Sequence, residues 1–333
     1  MQSVYPERGR DDWIIAQRPA RNTLDPLKPH GFFLERELSP SGHVASSAVI
    51  LLTNRECAWR CLMCDLWKNT LPYNVPPAAI PAQIDYALAR LGSRAEQIKL
   101  YNSGSFFDTA AIPLEDYAQI AEKVSFADRV IVECHPKLVG EKTIAFRDQL
   151  TDPKLEVAMG LETIHPTILP RLNKQLTRPL FLRAARELHD LGIALRVFVL
   201  VKPPFMREPQ AVDWAVKSTE FAFDCGAAVV SLIPTRPGNG AMDRLLENDE
   251  FARPALCTVE NSLHECLIRF CNRRGSAAPG GGLRRRVFVD TWNLEQFATC
   301  PHCFDQRRLR LCQMNLTQEI LPPIHCSVCK GVT

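Results

Sequence analysis

From residue 46 onward, apolar and β-branched runs recur with a regular rhythm. They fall near 46–53, 96–102, 128–134, 154–161, 194–201 and 227–233, and each reads as a short buried strand. Between them, apolar residues return at helical spacing near 76–92, 113–123, 139–150, 176–191 and 208–224. The pattern is clearest in Phe181-Leu182, Ala185, Leu188 and Leu191, with Gly192 as a stop signal. A further helical stretch covers about 255–273. Strand–helix alternation with short loops predicts an α/β fold of parallel strands joined by crossovers. Six such units make an open, partial (β/α)6 TIM-like barrel, and a doubly wound sheet would have a similar pattern. In both, ligands bind at the C-terminal ends of the strands.

The flanks differ. Residues 1–45 are rich in Pro, Arg and Asp, with apolar islands at Trp13-Ile14-Ile15 and Phe32-Phe33-Leu34. They read as a lead-in that wraps the body. The barrel is expected over 46–274, a Gly- and Arg-rich linker over 275–286, and a small C-terminal module over 287–333.

Composition narrows the class. The chain has 333 residues, 46% hydrophobic, with a formal charge of +3. That allows a large core and shows no global sign of nucleic-acid or membrane binding. The N-terminal residues are charged without an apolar core, so no signal peptide is expected. No window offers about 18 uninterrupted apolar residues, so no membrane partner is expected. Thirteen cysteines, odd in number and clustered, argue against a secreted disulfide scaffold and for a reducing cytoplasm.

Three of those cysteines stand as Cys57-Ala-Trp-Arg-Cys61-Leu-Met-Cys64, just after the first strand. A closed iron–sulfur or zinc site takes four protein ligands. Three thiolates leave one corner of a [4Fe–4S] cluster free for a substrate or cofactor. Two other readings fit the spacing. Positions 57, 61 and 64 share one helix face, as core cysteines would, and Cys61 with Cys64 forms a redox-type CxxC.

Other polar residues gather at strand ends. The second strand runs into Asn102-Ser103-Gly104-Ser105, a small-residue loop through which backbone can approach a ligand, or an ordinary turn. Glu133 and Glu162 end the third and fourth strands, as ligand contacts or as salt-bridge partners. Lys174 precedes the fourth helix and Lys202 ends the fifth strand; each faces an anionic group or snorkels at the surface. Cys134 and His135 read as packing.

The three-cysteine loop at a strand end resembles the radical SAM superfamily, whose cluster binds S-adenosylmethionine (SAM). The resemblance implies a 5′-deoxyadenosyl radical that abstracts hydrogen from substrate. It assigns the cluster to Cys57, Cys61 and Cys64, and SAM contacts to Asn102, Ser103, Gly104, Ser105, Glu133, Glu162, Lys174 and Lys202. The blocks Asn102-Ser-Gly-Ser-Phe-Phe-Asp108, Val132-Glu-Cys-His-Pro136, Leu155-Glu-Val-Ala-Met-Gly-Leu-Glu-Thr163, Val201-Lys-Pro-Pro-Phe205 and Ser231-Leu-Ile-Pro-Thr235 look like the radical SAM subunit of archaeosine synthase. That family is related to the radical SAM domain of the Elongator catalytic subunit. The resemblance implies C–N bond cleavage on a 7-deazaguanine-type tRNA base, a partner modification enzyme, and an electron donor such as flavodoxin or ferredoxin. A peptide or small metabolite is the alternative substrate. A non-catalytic zinc-ribbon nucleic-acid-binding protein is the alternative class.

A second cysteine set, Cys300-Pro-His-Cys303 and Cys326-Ser-Val-Cys329, has the spacing of a zinc-ribbon-like site with four cysteine ligands, and a hairpin is expected over 308–324. An auxiliary iron–sulfur cluster or unliganded thiols are the other readings. Cys312 is left without a role. Arg273, Arg274, Arg284, Arg285, Arg286, Arg307, Arg308 and Arg310, interleaved with Phe288, Trp292 and Phe297, form the one locally basic region. It reads as a phosphate-backbone contact or as a solvated face.

Overall fold

In the computed structural model, residues 3–92, 95–271 and 284–329 are described. The linker expected over 275–286 falls mostly outside them, as do Arg273 and Arg274.

Ten strands and nine helices are present among the described residues. In chain order they are α1 (Arg10–Ala16), β1 (Gly31–Leu38), β2 (Val44–Leu52), β3 (Asn54–Arg55), β4 (Thr70–Leu71), α2 (Ala79–Leu91), β5 (Gln97–Asn102), α3 (Tyr117–Val124), β6 (Arg129–Glu133), α4 (Glu141–Arg147), β7 (Lys154–Glu162), α5 (Arg178–Asp190), β8 (Ala194–Val201), α6 (Ala211–Asp224), β9 (Val229–Pro234), α7 (Ala241–Glu247), α8 (Leu256–Cys266), β10 (Arg286–Val289) and α9 (Pro301–Thr317). One curled, half-barrel sheet runs β1-β2-β5-β6-β7-β8-β9-β10, while β3 and β4 pair apart from it. The six predicted strands are β2 and β5 to β9, each parallel to the next. Their spatial order follows the chain without reversal. That is barrel winding, since a doubly wound sheet reverses at a switch point.

The outward face of the sheet is a continuous apolar core of strand and helix residues, including Ile50, Leu100, Val132, Val157 and Val197. The inward face is polar at its floor. Lys99 donates to Glu35 and Glu37. Arg196 donates to Glu37 at 2.6 Å and to Glu156 at 2.7 Å. Arg129 lies 3.5 Å from Glu156. Each pair joins strands that are separate in the chain, and deleting one partner of such a buried pair typically costs about 3–5 kcal/mol.

Two elements were hidden by these charges. β1 carries Glu35, Arg36 and Glu37, so its apolar pattern breaks, yet it pairs antiparallel with β2 from Gly31↔Leu51 to Leu38↔Val44. β10 begins on Arg286, which is buried and donates to the Leu38 carbonyl at 2.8 Å, bridging the two sheet edges. The segment beyond the linker thus adds a strand to the main sheet, beside β9.

The hairpin expected over 308–324 is instead largely helix α9. Its buried residues, Cys303, Arg307, Arg310, Leu311 and Met314, follow helical spacing. Two of them are arginines, so the apolar period is masked. Both clamp the buried Glu260 of α8. Burial also divides the basic region. Arg286, Arg307, Arg310, Phe288 and Phe297 are buried, leaving Arg284, Arg308 and Trp292 exposed.

α9 covers the free edge of β10. Asn315 accepts from the Val289 amide at 2.9 Å and donates to its carbonyl at 2.8 Å. Gln318 does the same for Val287, at 2.7 and 2.8 Å. Two side-chain amides therefore stand in for a neighbouring strand and block edge pairing. Among the described residues no helix is long and apolar enough to cross a membrane.

Candidate active site

Cys57 to Cys64 form an irregular loop above β2, not a helix, which removes the helix-face reading. The loop is pinned from several sides. Glu56 accepts from Arg18 at 2.7 Å and Arg21 at 2.6 Å. Leu62 is buried against Tyr5, Ile14, Met242 and Leu245, and its amide donates to the Leu172 carbonyl at 2.9 Å. Asn239 donates to the carbonyls of Leu62 at 2.8 Å and Cys64 at 3.0 Å. Asn173 donates to the Arg60 carbonyl at 2.8 Å.

The three thiols lie within electrostatic reach of one another. Burial pushes all three up, Cys64 to about 12, and the Cys57 and Cys64 sulfurs raise Cys61 further. A redox CxxC works through a lowered thiol pKa, so that reading loses support. Metal ligation deprotonates such thiols outright.

The small-residue loop lies against the first cysteine. A Cβ on Gly104 (φ 151°) would sit 3.1 Å from Cys57 Cβ and 3.6 Å from its sulfur. Asn54 accepts from the Ser103 amide at 3.1 Å, tying this loop to the base of the cysteine loop. Asn102 is 2% exposed, yet neither its side-chain oxygen nor its nitrogen has a partner. This holds among the described residues, and a polar ligand at Asn102 would offset the cost of an unmet buried amide, about 1–3 kcal/mol. Ser105 accepts from the His135 amide at 2.7 Å.

The carboxylates stand close by. Burial pushes Glu133 up to about 8, the Asn102 backbone amide and Lys174 oppose this, and Glu162 adds to it. Glu162 follows a bulge in β7 at φ 65°, and Lys174 Nζ donates to it at 2.5 Å. Burial alone would lower Lys174, but Glu162 and the Cys61 and Cys64 sulfurs raise it above its ordinary value. Residues 102–105, Glu133, Glu162 and Lys174 therefore meet the three cysteines at one end of the barrel. Lys202 is committed elsewhere. It pairs with Glu208 at 2.6 Å and donates to the Arg253 carbonyl at 3.2 Å.

Sequence reasoning passed over Trp59 and His135. Their rings stack at 3.9 Å and 9°. Burial and Lys174 push His135 down to about 4, which disfavours its charged form. Gly160 was missed too, although a glycine two residues before a strand-end carboxylate is a signal of crowding.

The barrel interior holds a cavity of about 700 Å³ that is open to solvent and reaches the cysteine loop only at Asp65. Its lining includes Phe33, Tyr101, Phe198, Phe288 and Trp292, together with the charged Glu37, Lys99 and Arg196.

The C-terminal cysteines form a tighter group. The sulfurs of Cys300, Cys303, Cys326 and Cys329 all lie within 4.8 Å of one another. Cys300–Cys326 and Cys303–Cys329 are each 3.9 Å apart. Tetrahedral zinc with Zn–S of about 2.3 Å sets its sulfurs about 3.8 Å apart. A cubane puts each thiolate on a separate iron, hence further apart. Arg307 donates to the Cys303 sulfur at 3.1 Å.

No family model matches the chain. An uncharacterized protein of Methanocaldococcus jannaschii is 23% identical over 259 residues, 74% of this chain and 71% of that protein. Archaeosine synthase subunit beta of Methanosarcina acetivorans is 25% identical over 238 residues, 68% of each chain. The protein of the same name from Thermococcus kodakarensis is 28% identical over 195 residues, 57% of this chain and 60% of that one. This chain is thus similar to two proteins named archaeosine synthase subunit beta. Among solved structures, the archaeal Methanocaldococcus infernus Elp3 with an N-terminal deletion matches with a TM-score of 0.48 and 14% identity. That match covers 72% of this chain and 59% of the Elp3 chain. The chain thus spans less than two thirds of the Thermococcus protein and of Elp3.

Proposed function

We propose that this relative of archaeosine synthase subunit beta is a radical SAM enzyme acting on a modified tRNA base. The observation that carries the reading is the unpartnered, buried Asn102 amide beside a glycine pressed onto Cys57. The residues fit the cofactors: three neighbouring thiols suit a [4Fe–4S] cluster with a free corner. Asn102, Glu133, Glu162 and Lys174 offer donors, acceptors and charge to an amino acid and a ribose. Cys57, Cys61 and Cys64 would hold the cluster, which with SAM would supply radical hydrogen-abstraction chemistry.

The chain's own part is to bind, orient and exclude water. Buried loop straps hold the thiols. The Glu162–Lys174 pair presents both charges to a zwitterion. The barrel cavity, lined in part by aromatic rings, holds the substrate's reacting part. The names of the two relatives support an archaeosine-related tRNA base and a partner subunit; the proposal adds C–N cleavage on a 7-deazaguanine-type base and an electron donor such as flavodoxin or ferredoxin. The sulfur spacing at Cys300, Cys303, Cys326 and Cys329 supports zinc over an auxiliary cluster.

Anaerobic reconstitution with iron and sulfide, then dithionite and SAM, tests the chemistry. Wild type should yield 5′-deoxyadenosine and Cys61→Ala should not. Equal yields, or none from wild type, would end the enzyme reading. Nucleoside analysis of tRNA from deletion and parent strains tests the substrate, and an unchanged profile points instead to a peptide or small metabolite.

A further inference from the structure

The segments around the implied cofactors come from four separate strand ends. They are the cysteine loop after β2, residues 102–105 after β5, residues 133–135 after β6, and Glu162 with Lys174 after β7. One residue touches the other three segments. The ring face of His135 stacks on Trp59, two residues from both Cys57 and Cys61. Its backbone amide donates to Ser105 at 2.7 Å. Its Nε2 meets the Lys174 carbonyl at 3.0 Å. Its Nδ1 accepts from the Lys137 amide at 3.2 Å, which leaves the ring proton on Nε2 and makes that nitrogen the donor to Lys174.

The Lys174 contact has leverage. Asn173 and Gln175, on either side of Lys174, both have left-handed backbone, at φ 56° and 54°. Such a contorted segment persists only when its surroundings hold it. A donor on the Lys174 carbonyl fixes the peptide from which the ammonium reaches Glu162. The ring stack meanwhile fixes the only aromatic residue inside the cysteine loop.

We propose that His135 is the positioning residue that registers the cluster loop against the Glu162–Lys174 pair, and so sets how SAM lies across the cluster. The proposal rests on the radical SAM reading. It assigns His135 no chemistry: the ring orients groups that touch cofactor, as outer-shell partners orient metal ligands.

Two substitutions separate its two contacts. His135→Phe keeps a ring against Trp59 and loses the donor. His135→Gln keeps a donor for Lys174 and loses the stack. Both should retain wild-type iron content and the wild-type electron paramagnetic resonance signal of the reduced cluster without SAM. The change in that signal on adding SAM should shrink, and SAM should bind about 10- to 100-fold more weakly by equilibrium dialysis. Wild-type SAM response in both variants overturns the proposal and reduces His135 to packing. Loss of iron in both also overturns it, making the residue a support of the loop. A wild-type protein that holds four irons yet gives no SAM response ends the radical SAM reading itself, and this inference with it.

Discussion

Lys174 and Glu162 meet in the space that a side chain on residue 160 would need. Their charged atoms are 2.5 Å apart, and a Cβ on Gly160 would sit 2.2 Å from each. The pair is thus permitted by the glycine and by the bulge that turns Glu162 back over β7.

Gly160→Ala should displace that pair while leaving the fold in place, because both clashing atoms are the ends of flexible side chains. Iron content should be unchanged. SAM affinity should fall about tenfold or more, with a stability loss of about 1–3 kcal/mol. Equilibrium dialysis with SAM reads the first effect and chemical denaturation the second. Undiminished SAM binding would remove the pair from the cofactor site.

Glu133 makes stability depend on pH. Burial raises its carboxyl from the ordinary 4.5 to about 8. Within that window the folded protein keeps a proton that the unfolded chain has released. Stability should therefore fall as pH rises from about 5 to 8, since the unfolded state then binds fewer protons. Glu133→Gln should flatten that part of the profile in urea titrations of the apoprotein. Parallel profiles for the two proteins would show that Glu133 ionises normally.

Gln318→Ala should open one link of the α9 cover over β10. It strands the Val287 amide and carbonyl, which bond to that side chain. The expected cost is about 1–3 kcal/mol. Hydrogen exchange at Val287 should accelerate while the central strands β7 and β8 keep their protection. Unchanged exchange there would mean that packing alone covers the edge.

Replacing Cys326 and Cys329 together with serine should take zinc from about one per chain to none, with iron unchanged. The melting temperature should drop, because the tail from Gln318 onward loses its staple to the start of α9. Elemental analysis of both proteins decides it. A loss of about four irons instead of one zinc would make this an auxiliary cluster.

The six central strands were legible because each is a short run with an apolar outward face, and their helices follow as the remaining period. β1, β10 and α9 were not legible, for one physical reason. Buried charged residues interrupt their apolar patterns and are held by groups far away in the chain: Glu37 by Arg196, Arg286 by the Leu38 carbonyl, and Arg307 and Arg310 by Glu260. A pattern read along one segment counts those residues as solvent-facing.

By itself the sequence determined the strand–helix rhythm, the strand ends as the place for ligands, and the two cysteine sets with three and four members. Those are local properties of spacing and composition. Only the tertiary structure decided which strand ends converge, since that depends on how the sheet curls. It brought Gly104 onto Cys57, joined Lys174 to Glu162 over Gly160, and turned His135 from an apparent packing residue into the contact shared by three loops. It also drew Lys202 to Glu208 and buried Arg286, Arg307 and Arg310, three of the arginines that a linear reading had offered to a nucleic acid. A charge takes its role from the partner it finds, and here those partners are supplied by the fold.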